Sequence, residues 1–285
     1  MKLSVMLVLT LVLLRVNPLM ADAGVAQRIQ ALTQKVDQSP EDATLRLRRA
    51  WVYLEFNQFE QAMHDIKRAE SLGDPVAAAY THGVLLYRQG DYAAARPYFD
   101  RYLKSYPEQW SALGYRARLL RDIGENRLAL ADYESLIRLN AALNPGYYVA
   151  AARLMANEPG RGVDEALALL DARAARRGSI ASLQRYAIEL ERNRGNYTAA
   201  IERMGMLDEK LRATPQWQLD VAELLLLEGR GEEALSYLTV AQEQLQAGRM
   251  TAVNRQLMAA AQQLREQALA AVQKAADSTA LVPHS

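Results

Sequence analysis

The stretch from residue 83 to residue 107, GVLLYRQGDYAAARPYFDRYLKSYP, decides the fold. It opens on Gly83, turns at Gly90-Asp91-Tyr92, passes through Ala95 and Phe99 and closes at Pro107. Glycine at the turn suits a left-handed position that ends a first helix, and a proline without an amide hydrogen cannot continue a second one. The pattern then recurs. Ala62, Ala95, Ala129, Ala166, Ala200 and Ala234 follow one another at spacings of 33, 34, 37, 34 and 34 residues. Five residues before each stands a turn residue (Asn57, Gly90, Gly124, Arg161, Gly195, Gly229), and four after each a large apolar one (Ile66, Phe99, Tyr133, Leu170, Met204, Leu238). Six helix-turn-helix units satisfy this period. Stacked hairpins of this kind make a surface for holding other molecules more readily than a reaction centre.

Twelve residues ahead of the repeat alanine comes Ala50, Gly83, Ala117, Ile188 or Ala222, usually a small residue where the second helix can cross closely. Second helices run out near Pro75, Pro107, Pro145, Gly178, Pro215 and Gly248. The fourth unit is irregular: the loop from Asn157 to Gly162 carries extra residues, and if they lie in the turn, Ala151 becomes the small residue of its first helix. These residues resemble the tetratricopeptide repeat family. The second unit matches best, the fifth repeats its turn as Gly195-Asn196-Tyr197, and the first, third and sixth carry Phe59, Asn126 and Gly231 in place of Tyr92. The resemblance implies an all-α, right-handed α-α superhelix, a solenoid of six repeats whose first helices line a concave groove. The solenoid is expected over 39–249, with repeats at 43–75, 76–109, 110–143, 144–180, 181–214 and 215–249.

The ends of a solenoid need covering helices. Val25, Ile29, Leu32 and Val36 fall on one face and predict an N-terminal cap over 24–38, with Ser39 capping and Pro40 opening the next helix. Val253, Leu257, Leu264, Ala268 and Val272 form a stripe opposite the polar Arg255, Gln262, Arg265 and Glu266, which predicts a C-terminal cap over 250–276. The aperiodic tail 277–285 is expected to be disordered. At the other end Lys2, the apolar run Leu3 to Leu14 and Ala21-Asp22-Ala23 have the form of a signal peptide, 1–23, cleaved before Gly24. Arg15 interrupts the run well short of a spanning helix. The expected location is therefore the periplasm, with no stable membrane insertion after cleavage. An uncleaved inner-membrane anchor facing the periplasm is the alternative.

Lys plus Arg at 34 against Asp plus Glu at 33 leaves no global field for nucleic acid. The absence of cysteine excludes thiolate chemistry and cysteine-held metals. His64, His82 and His284 offer no i, i+3 or i, i+4 pair, so no metal site is expected, and His82 reads as a packing residue. No serine, histidine and acid set suggests a nucleophile, and Glu60, Glu125, Asp164, Glu165, Glu232 and Glu233 gather where second helices begin and suit the helix dipole. The string Gly229-Arg230-Gly231-Glu232-Glu233-Ala234 matches the start of a dinucleotide fingerprint, yet it coincides with a repeat turn after a helical pattern. No catalytic residue and no cofactor is expected.

In the family, first-helix residues not used in packing line the groove. Helical spacing selects Arg48, Trp51 and Glu55; Tyr80, Tyr87 and Arg88; Tyr115, Arg118, Arg121 and Asp122; Tyr148; and Arg185, Tyr186, Glu189 and Arg192. Aromatics and arginine carry much of the energy at protein interfaces. The expectation is a non-catalytic scaffold or adaptor of the bacterial envelope, holding a protein or peptide segment that bears acidic groups or a C-terminal carboxylate and serving assembly or chaperoning of an envelope complex. The rival is a glycan-binding or glycan-processing accessory protein, since tyrosine and tryptophan also stack on sugars.

Overall fold

A computed structural model describes residues 18–73, 75–139, 144–177 and 180–280. The expected signal peptide up to its residue 17, the closing Gly178 and the last five residues of the expected tail lie outside them. Every regular element among the described residues is an α-helix, and there is no strand. The chain divides into two compact units, Met1–Ile123 and Gly124–Ser285.

In the first unit α1 (Pro18–Gln38) precedes the hairpins α2 (Ala43–Glu55) with α3 (Phe59–Leu72) and α4 (Pro75–Arg88) with α5 (Tyr92–Ser105), followed by α6 (Trp110–Asp122). Each helix packs on the next, and the first helices α2, α4 and α6 also touch in that order. In the second unit α7 (Asn126–Leu139) leads to the hairpins α8 (Pro145–Ala156) with α9 (Val163–Arg177) and α10 (Ala181–Asn193) with α11 (Tyr197–Gly205). A one-turn α12 (Glu209–Arg212) then precedes the last hairpin, α13 (Pro215–Leu227) with α14 (Gly231–Ala247), and α15 (Ala252–Ala280) packs on both of its helices. The third repeat is thus shared: α6 belongs to the first unit and α7 to the second.

The periodic residues are the core. All six repeat alanines are fully buried, and the large apolar residues four positions on are buried with them. Small size matters most at Gly83, where a Cβ would stand 3.1 Å from the ring of the buried Phe99. Gly90, Gly124, Gly195 and Gly229 take φ of +83°, +83°, +78° and +78°, and Asn57 takes +58°, the left-handed conformation that the turn requires. The fourth turn differs from expectation. Its left-handed residues are Gly160 and Gly162, not Arg161, because the longer loop leaves helix α8 through its own glycines. Ala151 does become a fully buried residue of α8.

Four local expectations are corrected. Asp42, not Ser39, caps α2, its Oδ1 accepting from the amides of Thr44 at 2.8 Å and Leu45 at 3.1 Å. Helix α1 begins at Pro18, earlier than the N-terminal start expected for the capping helix at residue 24. Helix α15 extends to Ala280, past the expected boundary of the tail, and holds Val253 exposed while Ala261 and Ala268 are buried. Arg265 turns toward α14, donating to Thr239 and Gln242. The dinucleotide-like string is a turn followed by a close crossing, since a Cβ on Gly231 would lie 3.1 Å from the Ala268 carbonyl oxygen of α15.

Candidate partner-binding surface

The first helices of the first unit carry a connected run of rings. Trp51 of α2 stacks on Tyr80 of α4, with centroids 5.6 Å apart and planes 22° apart. Tyr80 in turn meets Tyr102 at 5.3 Å and the edge of Tyr115 at 6.1 Å, and Tyr115 meets Tyr87 at 5.7 Å. Beneath them the buried Phe99 lies parallel to Tyr115 at 6.0 Å. The guanidinium of Arg118 sits 4.4 Å from the Tyr115 centroid and donates to the Gly114 carbonyl at 3.0 Å. Such ring pairs and cation–π contacts fix the aromatic side chains in place. Burial pushes the phenols of Tyr80 and Tyr87 up to about 12, and the neighbouring Asp122 adds to the rise at Tyr87.

Not every expected groove residue is free to bind. Arg88 is engaged within the fold: it donates to the Leu54 carbonyl at 2.5 Å and to Asn57 Oδ1 at 3.1 Å, closing the end of α2 and its turn. Arg121 holds Asp122 at 2.7 Å, and Tyr87 donates to the same carboxylate at 3.1 Å. Glu55 is paired with Arg28 at 2.8 Å. Arg48 is exposed beside Trp51 and lines an open apolar recess with Leu32 and Leu47.

In the second unit Tyr148 is a core residue, 4% exposed, beneath the guanidinium of Arg173 at 5.5 Å. Tyr186 is also buried, with Arg153 over its ring at 5.0 Å. Helical spacing put both on the groove side. Packing against the next first helix covers them instead, since α8 and α10 touch directly. Arg192 pairs with Glu223 at 2.6 Å, while Arg185 and Glu189 stand exposed at a cavity of about 400 Å³. Trp217, Met204, Leu207 and Leu211 of that cavity were not selected from the sequence. The sequence signal was present in Trp217, a large aromatic on a first helix, but the sixth repeat contributed no expected groove residue.

The polar residues that suggested chemistry have structural partners. Nδ1 of His82 lies 2.8 Å from Glu70 Oε1, and its ring packs 4.0 Å from that of Tyr98. Glu60, Asp164, Glu165, Glu232 and Glu233 sit in the first turns of their helices, where the dipole favours them. No three His, Asp or Glu side chains among the described residues gather as metal ligands.

Residues 80–147 match the sequence model of the tetratricopeptide repeat family. No curated protein sequence matches the chain. Among solved structures, that of YrrB, described as a TPR protein with an unusual peptide-binding site, is similar with a TM-score of 0.53 at 22% identity, over 62% of this chain and 91% of that one. Pseudomonas aeruginosa pilF is similar at 0.55 and 18% identity over 72% and 93% of the two chains, and MamA at 0.50 and 16% over 62% and 97%. At these identities the likeness is one of fold, a fold suited to protein-interaction scaffolds. Residues 80–147 thus match a tetratricopeptide repeat, and hairpins with the same alanine and turn pattern flank them on either side.

Proposed function

We propose that this protein is a non-catalytic docking scaffold exported to the bacterial envelope, and that it holds an extended polypeptide against α2, α4 and α6. The observation that carries the reading is the run Trp51, Tyr80, Tyr115 and Tyr87 with Arg118 laid over it. These rings are held by one another, so a partner would lose little side-chain freedom in meeting them. The exposed Arg48 beside them gives a polar edge for a peptide backbone or a carboxylate. The peptide-binding description of the similar YrrB structure supports a ligand of this kind. Because Arg88 and Arg121 are engaged within the protein, aromatic contact rather than a field of free arginines would supply most of the affinity. The apolar run after Lys2 supports export.

A photo-crosslinking residue placed at Trp51 or Arg48 in living cells tests both parts. The expected result is crosslinking to a discrete envelope protein, reduced about tenfold when Tyr80, Tyr87 and Arg118 are replaced by alanine. Equal crosslinking from Lys104 on the second helix α5 would overturn the assignment of the surface. Mass spectrometry of the same sample should find Gly24, or a close neighbour, at the N-terminus, and an intact Met1 in the membrane fraction would replace periplasmic export by anchoring.

A further inference from the structure

The first helices of the first unit carry more positive charge than the fold neutralises. Helices α2, α4 and α6 hold seven arginines against two carboxylates, Glu55 and Asp122. Four of the arginines have a carboxylate beside them: Arg46 and Arg49 share Asp65 of α3 at 3.7 and 2.7 Å, Arg116 reaches Asp100 of α5 at 2.9 Å, and Arg121 holds Asp122 at 2.7 Å. Glu55 is taken by Arg28 of α1. Arg48, Arg88 and Arg118 remain, and none of them pairs with a carboxylate among the described residues. Arg88 donates to the Leu54 carbonyl and to Asn57, and Arg118 to the Gly114 carbonyl. A neutral acceptor holds a guanidinium in place without cancelling its charge. Arg48 and Arg88 are exposed, and Arg118 is half-buried. The corresponding helices of the second unit, α8, α10 and α13, carry three arginines (Arg153, Arg185, Arg192) and four carboxylates (Glu189, Glu191, Asp220, Glu223). The excess is therefore a property of the first unit.

The three charges bracket the rings. Arg48 stands by Trp51 at the recess with Leu32 and Leu47, whose lining holds no carboxylate. Arg118 lies 4.4 Å from the Tyr115 centroid and 5.9 Å from that of Tyr87, and the Arg88 guanidinium sits at the end of α2. Arg48 and Leu54 are six residues apart on α2, about 9 Å along its axis, the span of about three residues of extended chain. A chain terminus presents its carboxylate once, whereas an internal segment can present one at each end of this span.

We infer that the partner of this surface is an internal acidic segment, in which aspartate or glutamate residues about three positions apart flank a large apolar side chain. One carboxylate meets Arg48, the apolar side chain rests on Trp51 and Tyr80, and the other carboxylate meets Arg88 and Arg118. The inference rests on the docking reading above and names the chemistry of its partner. The rings supply contact area, and the uncompensated charge selects the acidic sequence and speeds its encounter.

The test is selection of a phage-displayed library of random linear peptides on the full chain, followed by affinity measurement with the enriched peptides in synthetic form. Sequences with paired acidic residues around a large apolar one are expected. Replacing those acids by asparagine or glutamine should weaken binding about tenfold, as should Arg48→Glu or Arg118→Gln in the protein, with circular dichroism unchanged. A peptide in which one acid is exchanged for lysine should regain affinity for the Arg48→Glu protein, and amidation of the peptide C-terminus should change nothing. Enrichment of uncharged peptides that are lost on Trp51→Ala would overturn the acidic specificity and leave the docking surface standing. Acidic peptides that bind both arginine variants as tightly as the parent protein, or that are lost on amidation alone, would overturn it as well. If no enriched peptide is lost on Trp51→Ala, the docking surface itself falls and the inference falls with it.

Discussion

The two units are built from one repeat and held together by different means. In the first, successive hairpins are joined by rings, with Trp51, Tyr80, Phe99, Tyr102 and Tyr115 in mutual contact across α2, α4, α5 and α6. In the second, the turns and second helices of successive hairpins carry ion pairs: Arg161 reaches back to Glu134, Arg194 to Asp164 and Arg203 to Asp171, at 2.5, 2.5 and 2.7 Å. The difference teaches that the repeat period fixes where hairpins touch but leaves open what chemistry fills the contact. A ring junction leaves tyrosine and tryptophan for a partner. An ion-pair junction uses its arginines internally and so removes them from recognition.

The first unit also has its own charged contact, and removing it should produce the largest effect. Asp65 is fully buried and is held by both arms of Arg49, each at 2.7 Å. Arg49→Met would leave that carboxylate buried without its main partner and should cost about 3 kcal/mol in chemical denaturation. If the loss is under about 1 kcal/mol, rings alone hold this unit and the contrast is sharper than drawn. Next comes Gly83→Ala. Phe99 is confined between Tyr80 and Tyr115, so the added methyl should cost more than the alanine helix preference returns, a net loss of about 1 kcal/mol in the same measurement.

In the second unit a substitution should stabilise. Arg173 is buried, and its Nε and Nη1 have no hydrogen-bond partner among the described residues. Seven residues past the repeat alanine, where Arg173 stands, other repeats place the buried Leu136 and Leu207. Arg173→Leu should therefore raise stability by about 1 kcal/mol, less whatever the contact with Tyr148 contributes, and a lowered melting temperature would show that contact to be dominant. The smallest expected effect is on pH dependence. The Tyr80 and Tyr87 phenols lie at about 12 in the fold, above the ordinary value near 10, so the unfolded chain releases its protons first. Their contribution is complete below pH ~10 and is lost as pH rises toward ~12. Hydrogen exchange should show the first unit loosening over that interval, and Tyr80→Phe with Tyr87→Phe should flatten the response.

Positions governed by backbone geometry or by close approach were legible in the sequence. Only a few residue types tolerate a positive φ or a helix crossing, so Asn57, Gly83, Gly90 and the six alanines announce themselves by type and period. Long side chains were much less legible. Helical spacing gives the direction in which Arg88 leaves α4, but its guanidinium ends on the carbonyl of Leu54, 34 residues away, a partner that exists only once α2 and α4 pack. Tyr148 failed for a related reason, since its burial accompanies the packing of α8 on α10, a contact between repeats that spacing within α8 does not show. The break after Gly205 left no trace in the alanine spacing because it conserves length.

That length conservation has a consequence for addressing. An array of near-identical units offers an elongated ligand several equivalent placements, each displaced by one hairpin, and equivalence of that kind blurs phase. The interrupted α11 breaks the translational symmetry at one place without altering the residue period of the repeat. On the docking reading proposed above, it would act as an index mark, giving a bound chain a defined starting point and a defined polarity.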